Sequence, residues 1–243
     1  MKKFLLMLAV TVGIPVAIAT VAIVAIRAFR ETPEGVLARF KEPFAKKRAQ
    51  LLRVLDHLPA PGENLEAQWG SLKPTPTYAR DTERTNVSFA TEEQLRALAN
   101  PDLKPPMCPA LLPPGLNLVS DSMIVERGEA GDSERDAAAL AKRLQARLDE
   151  PYLIVVRTLQ YEPPKLVETG FRFTGAFAKL EAYFIDLRSE TVIGTVPFVA
   201  TAGFQVRGVN VEDLIDTMRE NGGKELAQKL AQATGGTFRW NKY

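Results

Sequence analysis

The chain of 243 residues contains one cysteine, Cys108, and one histidine, His57. A single cysteine excludes an internal disulfide, and a single histidine excludes a histidine cluster that could hold a metal ion. We interpret Cys108 as an ordinary packing residue of a proline-rich stretch. His57 is predicted to lie at a helix end, where an imidazole interacts favourably with the helix dipole. Neither residue indicates catalysis.

The chain also lacks the motifs that carry common chemistries. Gly222-Gly223-Lys224 is followed by Glu225 and is not a phosphate-binding loop, and no G-x-S-x-G, H-E-x-x-H or paired-cysteine motif occurs. We therefore predict no cofactor and no metal. Three carboxylate pairs could in principle perform acid/base chemistry, but all lie near predicted helix starts, where acids stabilise the dipole. These pairs are Glu92 with Glu93, Asp132 with Glu134, and Asp213 with Asp216.

No strong excess of one charge is present, because the formal net charge is +2. Residues 27–56 carry eight Lys or Arg against four Asp or Glu, whereas residues 57–243 carry 21 against 25. A nucleic-acid binder normally shows a concentrated basic face, so the mildly acidic body predicts no nucleic-acid partner. Hydrophobic residues make up 46% of the chain and charged residues 25%, which is typical of folded globular proteins.

One long apolar run is present. Residues 4–26 contain no charge and are flanked by Lys2, Lys3 and Arg27, and their 23 residues match the roughly 20 that a membrane-spanning helix requires. We predict that residues 1–30 form a single-pass signal anchor that contacts membrane lipid. The alternative is a signal peptide cleaved after Ala19, which would leave an apolar new N-terminus beginning at Thr20 and a secreted binding domain.

The orientation of this anchor is predicted from opposing signals. The positive-inside count places more cations after the run than before it, which favours a cytoplasmic body. A short basic head before the first apolar run is, however, typical of an export signal. We favour the cytoplasmic (inner) membrane with the C-terminal domain periplasmic or extracellular. The cations that could contact the membrane interface are Arg27, Arg30, Lys46, Lys47 and Arg48.

Residues 31–58 are predicted to form an amphipathic juxtamembrane helix. Thr32 is a suitable N-cap and Pro33 a suitable first helical residue, and apolar residues recur at helical spacing up to Leu55. Pro43 could kink this helix. Its apolar repeat is not a strict heptad, so we expect a helix that packs on its own domain rather than a coiled coil or a lipid-lying segment.

Residues 59–115 are predicted to be a proline-rich connecting region with one short helix. Thr91 to Gln94 fit a capping box, and Pro101 requires that helix to end near Asn100. The P-x-x-P sequence of residues 106–109 is too short to indicate a polyproline ligand, and we interpret it as part of a stiff linker.

Residues 116–243 are predicted to form an α+β domain. Residues 133–136 should cap a helix that Pro151 ends, and 153–159 should form a buried strand. Residues 171–187 fit either a helix or a strand, and we choose a strand because polar turn residues separate it from an alternating strand at 192–206. Pro197 predicts an edge position or a bulge in that second strand. Two helical pieces, 211–221 and 224–233, should follow.

The predicted fold class is therefore α+β: an N-terminal transmembrane helix and a small antiparallel sheet, in the order helix, three strands, helix, with helices packed on one face. The predicted function is a binding or scaffold module of a bacterial-type envelope complex, whose partners are membrane lipid and other envelope proteins. The sequence does not identify a small-molecule ligand. An alternative function is an anchored hydrolase that uses carboxylates or a Ser/Lys pair, so the question of enzymatic activity stays open.

Overall fold

A computed structural model describes most of the chain after residue 30. The described residues are 31–63, 65, 72–78, 85–100, 118–131, 136–167, 172–173, 175–202, 211–236 and 238–240. None of the helices in these ranges is both long and apolar enough to cross a membrane, and the apolar run 4–26 lies outside them.

Within these ranges the chain forms five helices and eight strands. The helices are α1 (Pro33–Asp56), α2 (Glu92–Ala99), α3 (Leu118–Arg127), α4 (Ala137–Asp149) and α5 (Val211–Ala233). The strands are β1 (Thr77–Tyr78), β2 (Val87–Thr91), β3 (Tyr152–Glu162), β4 (Leu166–Val167), β5 (Arg172–Phe173), β6 (Phe177–Asp186), β7 (Thr191–Thr201) and β8 (Arg239–Trp240).

The main sheet has four strands in the order β2-β3-β6-β7. The β3–β6 and β6–β7 pairs are antiparallel, but β2 runs parallel to β3, with Val87 opposite Tyr152 and Thr91 opposite Val156. The expectation of a three-stranded antiparallel sheet is therefore corrected. All five residues of β2 are buried, the polar Ser88 and Thr91 included, and Ala90 interrupts the alternation by which a half-exposed strand is recognised.

The β6–β7 hairpin confirms the choice of strand over helix for most of residues 171–187. Strand β6 begins at Phe177, and residues 172–173 belong to a separate short strand. The turn between β6 and β7 contains Glu190 in the left-handed region with φ of 56°. Strand β7 lies at the sheet edge, which confirms the prediction from Pro197.

Helices cover both faces of the sheet, which corrects the expectation of helices on one face. One face packs against α5, through Leu214, Met218, Leu226 and Leu230. The other packs against α1, α2, α3 and α4. The physical reason lies in β3, where residues Tyr152 to Val156 are all buried, so neither face can be left in water.

Helix α5 runs unbroken through Gly222 and Gly223, where the sequence predicts two separate helices. Both glycines are buried and lie between the buried Met218 and Leu226. Glycine in a helix costs about 1 kcal/mol relative to alanine, but packing of the apolar face against the sheet outweighs that local preference. The predicted break is therefore wrong.

The predicted helix starts are confirmed. Thr32 caps α1 by accepting a hydrogen bond from the Gly35 N–H at 3.1 Å, and Thr91 and Gln94 form the capping box of α2. Asp136 caps α4, whereas residues 133–135 lie outside the described residues. Helix α1 packs on its own domain as expected, since its buried side chains join the same core as β3 and β6.

Candidate functional site

The predicted basic residues of α1, which are Lys46, Lys47 and Arg48, point in three different directions, because successive residues of a helix are about 100° apart around its axis. Lys46 is exposed and forms a 2.8 Å ion pair with Glu42 one turn earlier. Lys47 and Arg48 turn into the fold instead. Arg27 and Arg30 lie outside the described residues, and membrane contact by any of the five cations stays a prediction.

Lys47 joins α1 to the end of α4. Its Nζ donates hydrogen bonds to the carbonyl oxygens of Leu148 at 3.3 Å and Glu150 at 3.4 Å. A cation at these last carbonyls is favoured by the helix dipole. Burial lowers the pKa of Lys47, against the opposing charges of Glu150 and Asp149. Lys47 is therefore a half-buried cation that fixes the distance between two helices.

Arg48 joins α1 to both α2 and α3. Its Nη1 lies 2.5 Å from Oε1 of Glu126 on α3, and its Nη2 donates to the carbonyl oxygen of Leu98 near the end of α2. The guanidinium carries several donors in a fixed plane, which suits it to holding two partners at once. Arg48 therefore sets the separation of α1 and α3.

An apolar groove opens between α1 and α3, on the Arg48 side of α1. Its volume is about 330 Å³. Phe44 and Val125 are buried at its floor, and the exposed Ala45 and Ala49 lie one helical turn apart along its wall. Lys41, Arg48, Leu52, Ser122 and Glu126 complete its lining. The groove offers apolar contact with charged groups at its edge.

A more polar cleft of about 490 Å³ lies on the Lys47 side of α1, between α1, the end of α4 and the β6–β7 turn. Arg53 forms a two-point ion pair with Glu190 at 2.7 and 2.9 Å, and Gln50 donates to the Leu187 carbonyl oxygen at 2.5 Å. The lining cations Lys46, Lys47, Arg53 and Arg188 come from two elements. Most of their charge is balanced by neighbouring carboxylates.

A buried ionic cluster supports the packing of α3 on α4. Arg147 lies between Asp121 on α3, at 3.3 Å, and Glu150, and Glu150 also accepts a hydrogen bond from Ser88 on β2. Arg143 pairs with the other oxygen of Asp121 at 3.3 Å. Burial raises the pKa of Glu150 despite the opposing charge of Arg147. Such groups are costly to bury singly, so the cluster constrains how the helices meet.

A second network lies under the start of α2. Arg157 on β3 binds Glu92, donates to the Tyr183 hydroxyl at 2.8 Å, and lies over the Tyr183 ring at 4.9 Å from its centroid. The Tyr183 hydroxyl donates to Glu181 at 2.7 Å. Burial and this hydrogen bond to Glu181 raise the pKa of Tyr183, so the phenol stays protonated. The acidic Glu92 is thus part of an ion-pair network rather than a free carboxylate pair with Glu93.

The chain that follows α1 crosses this network. Arg157 donates to the Pro59 carbonyl oxygen at 2.7 Å, and the Gly62 N–H donates to Glu181 at 2.9 Å. The Leu65 N–H donates to Thr195 Oγ1 at 3.1 Å. Gly62 has φ of +84°, which a residue with a side chain adopts only with strain. These bonds tie the connecting region to β3, β6 and β7.

The remaining predicted residues fall in three groups. His57 caps the C-terminus of α1 as expected, with Nδ1 2.7 Å from the Arg53 carbonyl oxygen. Asp213 and Asp216 lie in the first turns of α5. Cys108, Asp132 and Glu134 lie outside the described residues. In the part of the chain that the structure describes, no group of three or more His, Cys, Asp or Glu could hold a metal ion.

The buried ionic cluster was not predicted from the sequence, although one signal for it was present. Arg147 follows Leu140 by seven positions and Leu144 by three, so it shares their buried helix face. A charge at that position predicts a buried ion pair. Its partner Asp121 could not be found this way, because it is 26 residues distant in a separate helix.

Comparison of the chain with known protein families and with curated proteins finds no match.

Proposed function

We propose that the chain is a single-pass, membrane-anchored binding or scaffold module, with its α+β domain on the outer side of the cytoplasmic membrane of a bacterial-type envelope. Its partners would be the lipid around the anchor and other envelope proteins. The proposal draws on the apolar run 4–26 for the anchor and on the grooves along α1 for the binding surface.

The observation that carries the proposal is how soon folded structure follows the apolar run. Only residues 27–32 separate Ile26 from Pro33, and the first turn of α1 already buries Val36 and Leu37 completely. Six residues span at most about 20 Å when fully extended. A bilayer-embedded run would therefore hold this domain beside the headgroups, which favours a role at the membrane surface.

The α1 surface suits a binding role because it carries two openings of different chemistry. One is apolar with a charged edge, and the other is lined by cations and backbone carbonyls. Ligand and partner sites commonly combine an apolar body with a few placed polar groups. We expect partners to contact α1 through one of these two openings.

Protease accessibility of a C-terminally tagged chain tests the orientation. We expect added protease to remove the tag from intact spheroplasts, and the protein to stay in the membrane fraction after alkaline carbonate extraction. Digestion only after lysis would contradict the outer location. A released protein whose mature N-terminus is Thr20 would instead support the cleaved form.

Crosslinking in intact cells tests the binding role. With a photoreactive residue in place of Arg53, at the polar cleft, we expect adducts with discrete envelope proteins. The matched control places the same residue at Arg219, which is on the exposed face of α5. Equal adduct patterns from both positions would contradict a partner surface on α1.

A further inference from the structure

The groove between α1 and α3 is the strongest candidate for a ligand site, because its lining combines an apolar floor with a lysine that has no acidic partner among the described residues. We propose that it binds an anionic phospholipid from the membrane that holds the chain. One acyl chain would lie against Phe44, Ala45 and Ala49, with the headgroup phosphate at Lys41. The inference rests on the proposed anchor and identifies a ligand for the surface described above.

The size and lining of the groove suit part of one acyl chain. Its volume of about 330 Å³ is at the low end of the range for ligand pockets. The two alanines leave space where larger side chains would fill the wall, and Phe44 and Val125 supply an apolar floor.

The charges at the groove edge favour an anionic headgroup. Arg48 is neutralised by Glu126 at 2.5 Å, whereas Lys41 is exposed and has no acidic partner among the described residues. A lysine ammonium binds phosphate as a point charge. The cation that a headgroup could use is therefore Lys41, which is the lining residue nearest the start of α1.

The covalent geometry allows the groove to reach the bilayer. Lys41 is eight residues beyond Pro33, which is about 12 Å along the helix axis. A linker of residues 27–32 that spans up to about 20 Å lets α1 lie along the headgroup layer. The same membrane that takes up the apolar run is then the nearest source of an apolar ligand.

The test uses the full-length chain in nanodiscs of phosphatidylglycerol or phosphatidylcholine that contain a trace of the same lipid with a diazirine in its acyl chain. After irradiation, mass spectrometry maps the labelled peptides. We expect labelling of residues 4–26 in both discs. In phosphatidylglycerol we also expect labelling of residues 41–52 of α1 and of the Ser122–Glu126 part of α3.

Two variants, each with a matched control, make the test specific. Ala49→Trp fills the groove and should remove the groove labelling, whereas Ala139→Trp on the exposed side of α4 should leave it unchanged. Lys41→Gln should lower groove labelling in phosphatidylglycerol by about fivefold, the effect of one cation at an anionic surface. The matched control is Lys179→Gln, which replaces an exposed lysine of β6 and should leave groove labelling unchanged.

Labelling of residues 4–26 without the groove would overturn this inference and leave the anchor intact. Labelling of neither region would show that the chain does not insert, and both proposals would then fail. A photoreactive residue at Ala49 that forms a protein adduct in cells, in place of a lipid adduct, would also overturn the inference, because the groove would then hold a partner protein.

Discussion

Both faces of the central sheet are covered by helices, but the side chains buried on the two faces differ in chemistry. The face under α5 buries aromatic and aliphatic side chains, among them Tyr152, Phe184 and Phe198. The face under α1 to α4 is also apolar, but charged groups are buried at its margins, including Glu92, Asp121 and Arg147. Among the described residues, one long helix covers the first face and four helices share the second.

This difference indicates what each chemistry contributes. Apolar contact is non-directional and tolerates small shifts of a single helix. Four helices could pack together in many arrangements. A buried charge is strongly destabilising in any arrangement that separates it from its partner. We therefore interpret the ionic clusters as features that select one arrangement of α1 to α4, whereas shape and area suffice for α5.

The largest effect is expected from a cavity on the apolar face. Phe184 is fully buried, and its ring lies 5.4 Å from that of Tyr152 and 6.4 Å from that of Phe238. Phe184→Ala should lower the free energy of unfolding by about 3–5 kcal/mol. Urea denaturation measures this, with Val199→Ala on the exposed edge strand as control. If the loss of unfolding free energy in Phe184→Ala depended strongly on pH, the face under α5 would not be stabilised by apolar contact alone.

The next largest effect is expected at the buried ionic cluster. Arg147→Met removes the cation between Asp121 and Glu150, and should cost about 3 kcal/mol near pH 7, because the buried Glu150 loses its ion-pair partner and Asp121 is left with Arg143. Burial already raises the pKa of Glu150, and the loss of Arg147 raises it further. As pH falls, the folded state of the variant therefore takes up protons before its unfolded state does. The difference between the unfolding free energies of variant and wild type should then shrink.

The same denaturation series at pH 7, 6 and 5 measures that trend. Arg219→Met is the control, since it breaks an exposed pair with Asp216, and such pairs contribute about 0–1 kcal/mol. A deficit for Arg147→Met that stays constant over this range would mean that lost packing, and not lost charge compensation, causes it.

Local signals in the sequence predicted local features well. The caps at Thr32 and Thr91, the β6–β7 hairpin and the edge position of Pro197 all depend on residues within a few positions of one another. The parallel pairing of β2 with β3 could not be predicted from such local signals, because it joins segments more than 60 residues apart. The continuity of α5 was missed because packing on the sheet outweighs the local effect of Gly222 and Gly223.

The candidate site shows the same limit. Charge alone identified Lys46, Lys47 and Arg48, but it could not separate the exposed Lys46 from its two neighbours. Lys47 binds carbonyl groups 101 and 103 residues away, and Arg48 binds Glu126, 78 residues away. Nothing near these residues in the chain encodes such partners. Position on a helix face is predictable, whereas the element that packs against that face is not.

The smallest of the expected effects concerns Glu92, which has ionic partners on its own helix and on β3. Burial alone would raise the pKa of Glu92, but hydrogen bonds and charges from Arg157 and Arg96 outweigh burial and lower it below 4.5. A carboxyl group with a lowered pKa in the folded state adds stability above its ordinary pKa, and that stability is lost as pH falls through the folded value. Glu92→Gln should therefore cost about 2 kcal/mol at pH 7.

That cost should diminish as pH falls below about 4.5, because the unfolded wild type takes up a proton there, and it should vanish once pH falls below the lowered pKa of the folded carboxyl group. Unfolding free energies at pH 7, 5, 4 and 3 measure the convergence. Glu93→Gln is the matched control, since Glu93 lies in the same turn and forms no ion pair among the described residues. If the Glu92→Gln deficit instead grew on acidification, the carboxylate of Glu92 would not be the group that Arg157 stabilises. The ion pairs around Glu92 would then not stabilise the second face of the sheet, and its contrast with the face under α5 would depend on the Arg147 cluster alone.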